Sequence, residues 1–242
     1  VIDDFDRLSK EEILEVLKLI DSNAAFNNLI FLTAYDKKQV NKALGDTYKT
    51  EDACFVDKFF SLEFQIPSRP YTYISQFIID NMCAMMDADS SEKTLIANVV
   101  NNRRRMLQDH VTTLRDAKRF VNQVVMDYMQ VRGDVIVSEY ILVELLKYRY
   151  PESFKKLYKK EYIEIGGLFS DNGIYYLKDL KQEQIEGMDI IETLFPRQDG
   201  QIGQSYHHIF EVQSFDNYFV NRIYASLRIG DMKRLFYQSK ND

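Results

Sequence analysis

The two short apolar runs in the first 35 residues constrain the fold more than any other feature of the sequence. Val1 and Ile2 end abruptly at Asp3 and Asp4, as a buried strand does where it emerges at the carboxyl edge of a parallel sheet. The run Leu29–Leu32 is continuously apolar, which is typical of a strand that is covered on both faces. The pattern predicts two neighbouring strands with their carboxyl ends at one edge.

The segment between these runs has the signals of a helix. Ser9 and Glu12 have the Ser-x-x-Glu spacing of a capping box, so a helix should start at about Lys10. Its apolar residues recur at i, i+3, i+4 and i+7: Ile13, Val16, Leu17 and Ile20. The first 35 residues therefore predict a strand–helix–strand unit.

The α/β character continues to about residue 66. The patterns predict a helix at Lys37–Leu44, a helix at about Glu51–Phe59 and a last strand at Ser61–Ile66. Pro67 and Pro70 then break regular structure, and we place the first boundary there.

Long helical patterns dominate the rest of the chain. They predict helices over Tyr73–Met86, over Glu92 to about His110, over 114–130 with Gly133 at its end, and on both sides of Pro151. Residues 166–203 give no clear pattern, and the tail from Phe215 predicts an aromatic-rich helix and then a short one. The fold class expected is α/β followed by a mainly α-helical region.

Composition limits the classes of protein and of partner. With 45% hydrophobic residues in 242, the chain can form a core, and 31 basic against 37 acidic side chains argue against nucleic acid as the main ligand. Cys54 and Cys83 form no metal-binding spacing and predict no disulfide framework, which favours a cytoplasmic protein. No run of about 18 apolar residues predicts a membrane span. Membrane association could come only from regions outside these residues.

Asp3 and Asp4 are the residues with the clearest chemical signal. Adjacent acids at a strand end can divide two tasks of phosphoryl transfer: one holds Mg²⁺ and the next orients or deprotonates the attacking water. Asp3 fits the metal role and Asp4 the base role. Acids at strand ends are also common turn formers and helix caps, so the pair alone leaves both interpretations open.

A longer set of motifs resembles the KAP family of P-loop ATPases. The segments are VIDDFDRLS, NLIFLTAYD and FFSLEFQIP, and LRDAKRFVN resembles the signature of that family's helical lid. The resemblance covers residues 1–149, where ELLKYRYPE is typical of the helical region. It implies the rear half of a P-loop NTPase parallel sheet in 1–66, a helical lid in 67–132 and a mainly helical C-terminal region in 133–242.

The resemblance also implies roles for individual residues. Asp3 would bind Mg²⁺, Asp4 would be the catalytic base, and Asp36 would occupy the sensor position beside the γ-phosphate of ATP; the alternative for Asp36 is a helix cap. Arg115 matches the lid arginine that reaches the phosphates, and its alternative is a surface arginine paired with Asp116 or Asp109. Arg7 would act on a neighbouring subunit's nucleotide or form an ion pair within its own chain.

One motif of that family does not occur. No GxxxxGK[ST] loop is present in the 242 residues, and we expect it upstream of Val1, so that this piece alone should not hydrolyse ATP. The function expected is that of a portion of a Mg-ATP hydrolase that passes nucleotide state to a helical region. The alternative is a non-catalytic scaffold that binds a protein partner, and a homo-oligomer fits either function. A helical nucleic-acid-binding domain ranks third.

Overall fold

The computed structural model of the chain describes residues 1–23, 26, 28–44, 49–50, 53–67, 69–166, 173–179, 185–196 and 207–219. The chain divides into two compact units, Val1–Ser68 and Arg69–Asp242, which we call unit 1 and unit 2. Each unit has its own buried apolar cluster. The two units are described separately below.

Unit 1 shows the predicted strand–helix–strand order only in part, as a parallel bridge between two short extended segments that we call the strand pair. Ile2 and Thr33 form a parallel bridge: the Ile2 amide donates to the Leu32 carbonyl at 2.7 Å, and the Ala34 amide donates to the Ile2 carbonyl at 2.9 Å. Helix α1 (Lys10–Asn23) lies between the two paired segments in the chain. Parallel neighbours require a crossover connection, and α1 supplies it.

The start of α1 is fixed by the predicted capping box. The Ser9 amide donates to Glu12 Oε2 at 2.8 Å, and the Glu12 amide donates to Ser9 Oγ at 3.3 Å. These hydrogen bonds lower the pKa of the Glu12 carboxyl. Ile13, Leu17 and Ile20 are buried as expected, and Val16 packs against the same cluster.

The strand pair is covered on one face, and the expectation of burial on both faces is wrong. Ile2 and Tyr35 pack on the core that contains α1 and helix α2 (Lys37–Leu44). Opposite them, the exposed fractions are 95% for Val1, 88% for Ile30 and 62% for Leu32. The difference arises because α1 and α2 pack on the same side, and none of the described residues covers the other side.

Two further predictions in unit 1 fail. Strand β1 (Lys49–Thr50) pairs antiparallel with strand β2 (Ala53–Cys54), and a 3₁₀ turn follows at Phe55–Lys58, in place of the helix predicted at 51–59. Among the side chains described there, only that of Val56 is fully buried. Residues 61–66 keep their alternating pattern but have no strand partner among the described residues, so they form no ladder. Within the described residues of unit 1, the predicted parallel sheet is therefore represented by the Ile2–Thr33 bridge beside helices.

Unit 2 is mainly helical, as expected. Its longer helices are α3 (Tyr71–Met85), α4 (Ser90–Asn102), α5 (Arg104–His110), α6 (Leu114–Val131), α7 (Val137–Arg149), α8 (Pro151–Tyr158) and α9 (Met188–Leu194). The short helix α10 (Val212–Phe215) runs into a 3₁₀ turn at Asp216–Tyr218. Both α4 and α6 begin at capping boxes, and one side of α6, with Ala117, Val121, Val124 and Tyr128, is buried. Among the described helices, none is both long and apolar enough to cross a bilayer.

Unit 2 departs from the sequence patterns in two places. The single helix expected over residues 92–110 is divided at Arg103, whose φ of −104° and ψ of 25° lie outside the helical range. Strands β3 (Ile163–Gly166) and β4 (Ile174–Leu177) form an antiparallel hairpin that the pattern did not predict. Of the predicted tail, residues from 220 onward lie outside the described residues.

Gly187 allows α9 to pack closely on α7, and we expect Gly187→Ala to lower the free energy of unfolding by about 1–3 kcal/mol. Its φ is +74°, and an added Cβ would lie 2.5 Å from a ring carbon of Tyr150 and 2.8 Å from a methyl carbon of Leu146. Chemical denaturation measures the loss.

The control variant Gly187→Asn separates backbone strain at positive φ from steric overlap of the added Cβ. Asparagine adopts positive φ readily but still carries a Cβ. This variant should be destabilised nearly as much as Gly187→Ala. An asparagine variant with the stability of the parent chain would show that close packing is not the reason for glycine.

Candidate functional site

Asp3 and Asp4 lie on a turn that is anchored on both sides. Ile2 is held by its two hydrogen bonds to the neighbouring strand, and Phe5 is fully buried, with its ring edge-on to Tyr35 at a centroid distance of 5.8 Å. Because both flanking residues are fixed, the two exposed carboxylates between them are presented outward at the end of the strand. This is the edge at which ligands bind in open parallel sheets.

Asp4 has an unusual backbone conformation. Its φ of 55° and ψ of 30° place it in the left-handed region, and its amide donates to Asp3 Oδ1 at 2.9 Å. A non-glycine residue in this region costs on the order of 1 kcal/mol, and such residues cluster at functional sites. The turn also starts a 3₁₀ helix (Phe5–Arg7) that buries Phe5.

The side chain of Asp4 pairs with Arg7. Arg7 Nε lies 3.1 Å from Asp4 Oδ1, and the Arg7 amide donates to the Asp4 carbonyl at 3.0 Å. This is the ion pair within the chain that was one expectation for Arg7. Both side chains are more than half exposed, at 57% for Asp4 and 64% for Arg7, so solvent screens the pair and it adds little stability.

Asp36 lies at the same edge of the strand pair. The register that aligns Ile2 with Thr33 places Asp3 beside Ala34, and Asp36 follows two residues later on the same uncovered face. Asp36 Oδ1 accepts from the amides of Lys38 at 2.8 Å and Gln39 at 3.3 Å, so Asp36 is the cap of α2. The capping interpretation is therefore confirmed. The sensor role stays a prediction, and Oδ2 accepts no hydrogen bond from the described residues.

These carboxylates suit a cation that keeps most of its water ligands. The described residues contain no group of three or more His, Cys, Asp or Glu side chains that could hold a metal ion by themselves. Mg²⁺ is commonly bound by one or two protein carboxylates together with water and phosphate oxygens. The exposed oxygen donors of Asp3 and Asp4 therefore fit such a site, with the remaining ligands coming from solvent and nucleotide.

Arg115 lies in unit 2, in the first turn of α6. Thr113 caps this helix: the Asp116 amide donates to Thr113 Oγ1 at 3.1 Å, and the Thr113 amide donates to Asp116 Oδ2 at 3.2 Å. Burial raises the pKa of Asp116, but hydrogen bonds from Thr113 and Thr112 outweigh it, and the net shift is downward. Arg115 is exposed and belongs to no ion pair among the described residues, so the expected pairing with Asp116 or Asp109 is not found.

Lys118 and Arg119 share an exposed helix face with Arg115, and the sequence patterns did not lead us to predict them as site residues. They follow Arg115 at i+3 and i+4, so all three cations lie on one exposed face at the start of α6. A positive side chain is unfavourable at a helix N-terminus, where the macrodipole is already positive. The helical spacing in LRDAKRF is the signal that could have found this face.

A second polar cluster in unit 2 also escaped the sequence interpretation. Glu139 accepts from His208 Nδ1 at 2.5 Å, from the Ile209 amide at 2.9 Å and from Tyr218 Oη at 2.8 Å. The hydrogen bond to Glu139 raises the pKa of His208. Because 69 residues separate the two partners in the chain, no local pattern could reveal their contact.

Comparison with protein families gives a match. The model of the KAP family P-loop domain matches residues 1–131, which is more than half of the chain. The matched segment contains Asp3, Asp4, Asp36 and Arg115. No curated protein and no solved structure matches the chain.

Proposed function

Since this chain belongs to the KAP family of P-loop domains, we propose that it supplies the metal-binding and water-activating part of a Mg-ATP hydrolase. The observation that carries the proposal is the placement of Asp3, Asp4 and Asp36 at one carboxyl edge of the parallel strand pair. Three acids at such an edge can divide metal binding, proton transfer and phosphate sensing among them.

Each residue has a distinct role in this proposal. Asp3 holds the metal through one carboxylate oxygen, directly or through water. Asp4 orients the attacking water and accepts its proton. Bound Mg²⁺ supplies positive charge that offsets the charge on the phosphates. Asp36, held by its two amide contacts, accepts through its remaining oxygen a hydrogen bond from a water molecule near the terminal phosphate.

Arg115 completes the proposed set from the lid. It is exposed and without an ion pair among the described residues, so its guanidinium is available to the phosphates of a bound nucleotide. The helix that carries it is fixed within unit 2 by the capping box and by buried Phe120 and Val121. We propose that this contact relays nucleotide state to the helical region.

Hydrolysis also needs a phosphate-binding loop, and the 242 residues contain no GxxxxGK[ST] sequence. The proposal therefore assigns this loop to polypeptide outside these residues, and turnover is to be measured in the protein that carries it. The same observation favours the second candidate function, a scaffold that keeps the fold without catalysis. A degraded loop sequence would support the scaffold and an intact one the hydrolase.

Asp3→Asn tests the metal role. We expect the Mg²⁺ concentration that half-saturates ATP binding to rise roughly tenfold, because a neutral amide is a weaker ligand than a carboxylate and contributes no charge. A Mg²⁺ titration of the fluorescence of a labelled ATP analogue measures the change. Glu11→Gln, which removes the same charge from an exposed position on α1, is the matched control and should leave the titration unchanged. Equal titrations for both variants would contradict the assignment of Asp3.

A further inference from the structure

Unit 2 has a surface pocket whose lining the nucleotide chemistry does not use. It lies between α4, α7 and α9 and has a volume of about 250 Å³. The floor is apolar and is formed by Leu95, Val99, Leu142 and Leu194. The polar lining consists of Asn98, Asn102, Arg103, Ser138, Glu139 and Thr193. The pocket therefore combines a small apolar floor with a polar rim.

Four of the polar side chains at the rim lack a protein partner. Within the part of the chain that the structure describes, Asn98, Asn102, Arg103 and Ser138 make no side-chain hydrogen bond or ion pair. Glu139, by contrast, already accepts three hydrogen bonds, one of them from His208. The unpaired groups are thus two carboxamides, a hydroxyl and a guanidinium, and their charge is positive.

The size of the pocket limits what it can hold. Pockets for drug-sized ligands and cofactors usually measure about 300–1,000 Å³, so a nucleotide would not be enclosed here. A single aliphatic or aromatic side chain does fit a floor of this size. Binding energy at protein interfaces is commonly concentrated in such an anchor side chain in a small pocket.

The spacing of the two asparagines selects the shape of the ligand. Asn98 and Asn102 are one helical turn apart on α4, about 6 Å along its axis. Alternate residues of an extended chain are about 6.6 Å apart and face the same side. Each carboxamide can therefore donate to and accept from the main chain of alternate residues in an extended peptide. Arg103 is the C-cap of α4 and lines the same pocket, so its guanidinium can meet a carboxylate of the bound segment.

We propose that this pocket binds an extended segment of a partner protein that carries one large apolar anchor side chain and an acidic residue close to it. The anchor fills the floor over Leu142 and Leu194, Asn98 and Asn102 bind the main chain, and Arg103 binds the acid. This inference concerns unit 2 alone and goes beyond the proposed nucleotide chemistry, because it assigns the helical region a peptide-binding surface.

Neighbouring cations favour a peptide over nucleic acid. A strand of nucleic acid needs a row of available cations, but Arg104 is placed over the ring of Tyr71, with its guanidinium carbon 5.7 Å from the centroid. Among the described residues that line the pocket, Arg103 is the one cation and none is aromatic, so no base could stack on them.

A random heptapeptide library displayed on phage and panned on the full chain tests the proposal. The enriched sequences should share an aliphatic or aromatic residue with Asp or Glu within two positions of it. Synthetic peptides of these sequences are then titrated against two pairs of variants by fluorescence polarisation. Asn102→Ala is paired with Asn101→Ala, and Arg103→Glu with Arg105→Glu, because each pair changes exposed neighbours of which only the first lines the pocket.

The expected result is a loss of peptide affinity of about 5–10-fold for Asn102→Ala and at least about 10-fold for Arg103→Glu, with little change in either control. Circular dichroism checks that all four variants are folded. Enrichment of no such pattern, or equal losses within each pair, would overturn the proposal. A labelled single-stranded oligonucleotide that binds, and that loses affinity equally with Arg103→Glu and Arg105→Glu, would assign the surface to nucleic acid instead.

Discussion

Asp4→Asn is expected to lower ATP turnover by about 10²–10⁴-fold while leaving nucleotide binding nearly unchanged. The factor is that of a general base, which contributes to the transition state and little to binding. An amide of the same shape can still orient water by a hydrogen bond, but it cannot accept the proton. Steady-state phosphate release by the protein with its phosphate-binding loop gives turnover, and a titration with a labelled ATP analogue gives affinity.

The local structure makes this substitution informative. Asparagine adopts the left-handed region more readily than other non-glycine residues, so the φ of 55° at position 4 is preserved. The variant does weaken the exposed ion pair with Arg7, which contributes little to stability. Arg7→Gln removes the same pair without touching the carboxylate and serves as the control. If Asp4→Asn and Arg7→Gln reduced turnover equally, the ion pair, and not proton transfer, would be the relevant feature.

The features that were predicted correctly from the sequence depend on residues that lie close together in the chain. Ser9 and Glu12 are three residues apart and satisfy each other's amides, so the start of α1 follows from the sequence alone. The bounds of α2 were predicted correctly, since Asp36 supplies a cap and Val40 and Leu44 supply the buried side. The division of α7 from α8 at Pro151 was also predicted, because proline fits the first turn of a helix.

The features that sequence missed depend on partners that are distant in the chain. An apolar run such as Leu29–Leu32 shows that a strand is suited to burial, but it does not show which element covers each face. The pairing of residues 61–66 failed for the same reason, because alternation gives the two faces of a strand and not its neighbour. The hairpin of β3 and β4 spans a segment whose pattern was unclear, and its register depends on tertiary packing.

The candidate site also combines features set by neighbouring residues with features set by residues that are distant in the chain. Asp3 and Asp4 were identified because a strand end and two acids are adjacent in the chain. Asp36 was predicted from the family resemblance, and the Ile2–Thr33 register shows that it lies at the same edge. The pocket between α4, α7 and α9 combines residues from 95 to 194, and no pattern in a single segment indicates it. Tertiary packing had to be known before its unpaired polar groups could be recognised.

Lys147→Met is expected to lower the free energy of unfolding by about 3–5 kcal/mol. Lys147 Nζ contacts Asp127 Oδ2 at 2.6 Å and Glu144 Oε1 at 3.0 Å, while Gln123 donates to the other Glu144 oxygen at 2.7 Å. The Glu144 side chain is only 2% exposed, so loss of the lysine leaves a buried carboxylate without its cation. Because methionine preserves most of the aliphatic stem, the loss of stability can be attributed to removal of the positive charge. Urea denaturation measures it.

If the buried charge is the cause, the stability deficit of Lys147→Met, which is its loss of free energy of unfolding, should depend on pH. Burial already raises the pKa of Glu144, and the charge and hydrogen bond of Lys147 oppose that rise, so removing Lys147 should raise the pKa further. A carboxyl whose pKa is higher in the folded state stabilises the fold below its unfolded pKa and loses that contribution as the pH rises through the folded pKa. The deficit should therefore be smaller near pH 5 than near pH 8.

Two further variants separate the buried charge from other causes. Adding Glu144→Gln to Lys147→Met removes the uncompensated carboxylate and should recover part of the lost stability, with a deficit that no longer grows with pH. Lys155→Met breaks the exposed pair with Glu152 and should have no measurable effect. If the double variant were less stable than Lys147→Met at every pH, packing around the lysine stem would explain the loss. The network would then act through shape, because neutralising its buried acid would have relieved nothing.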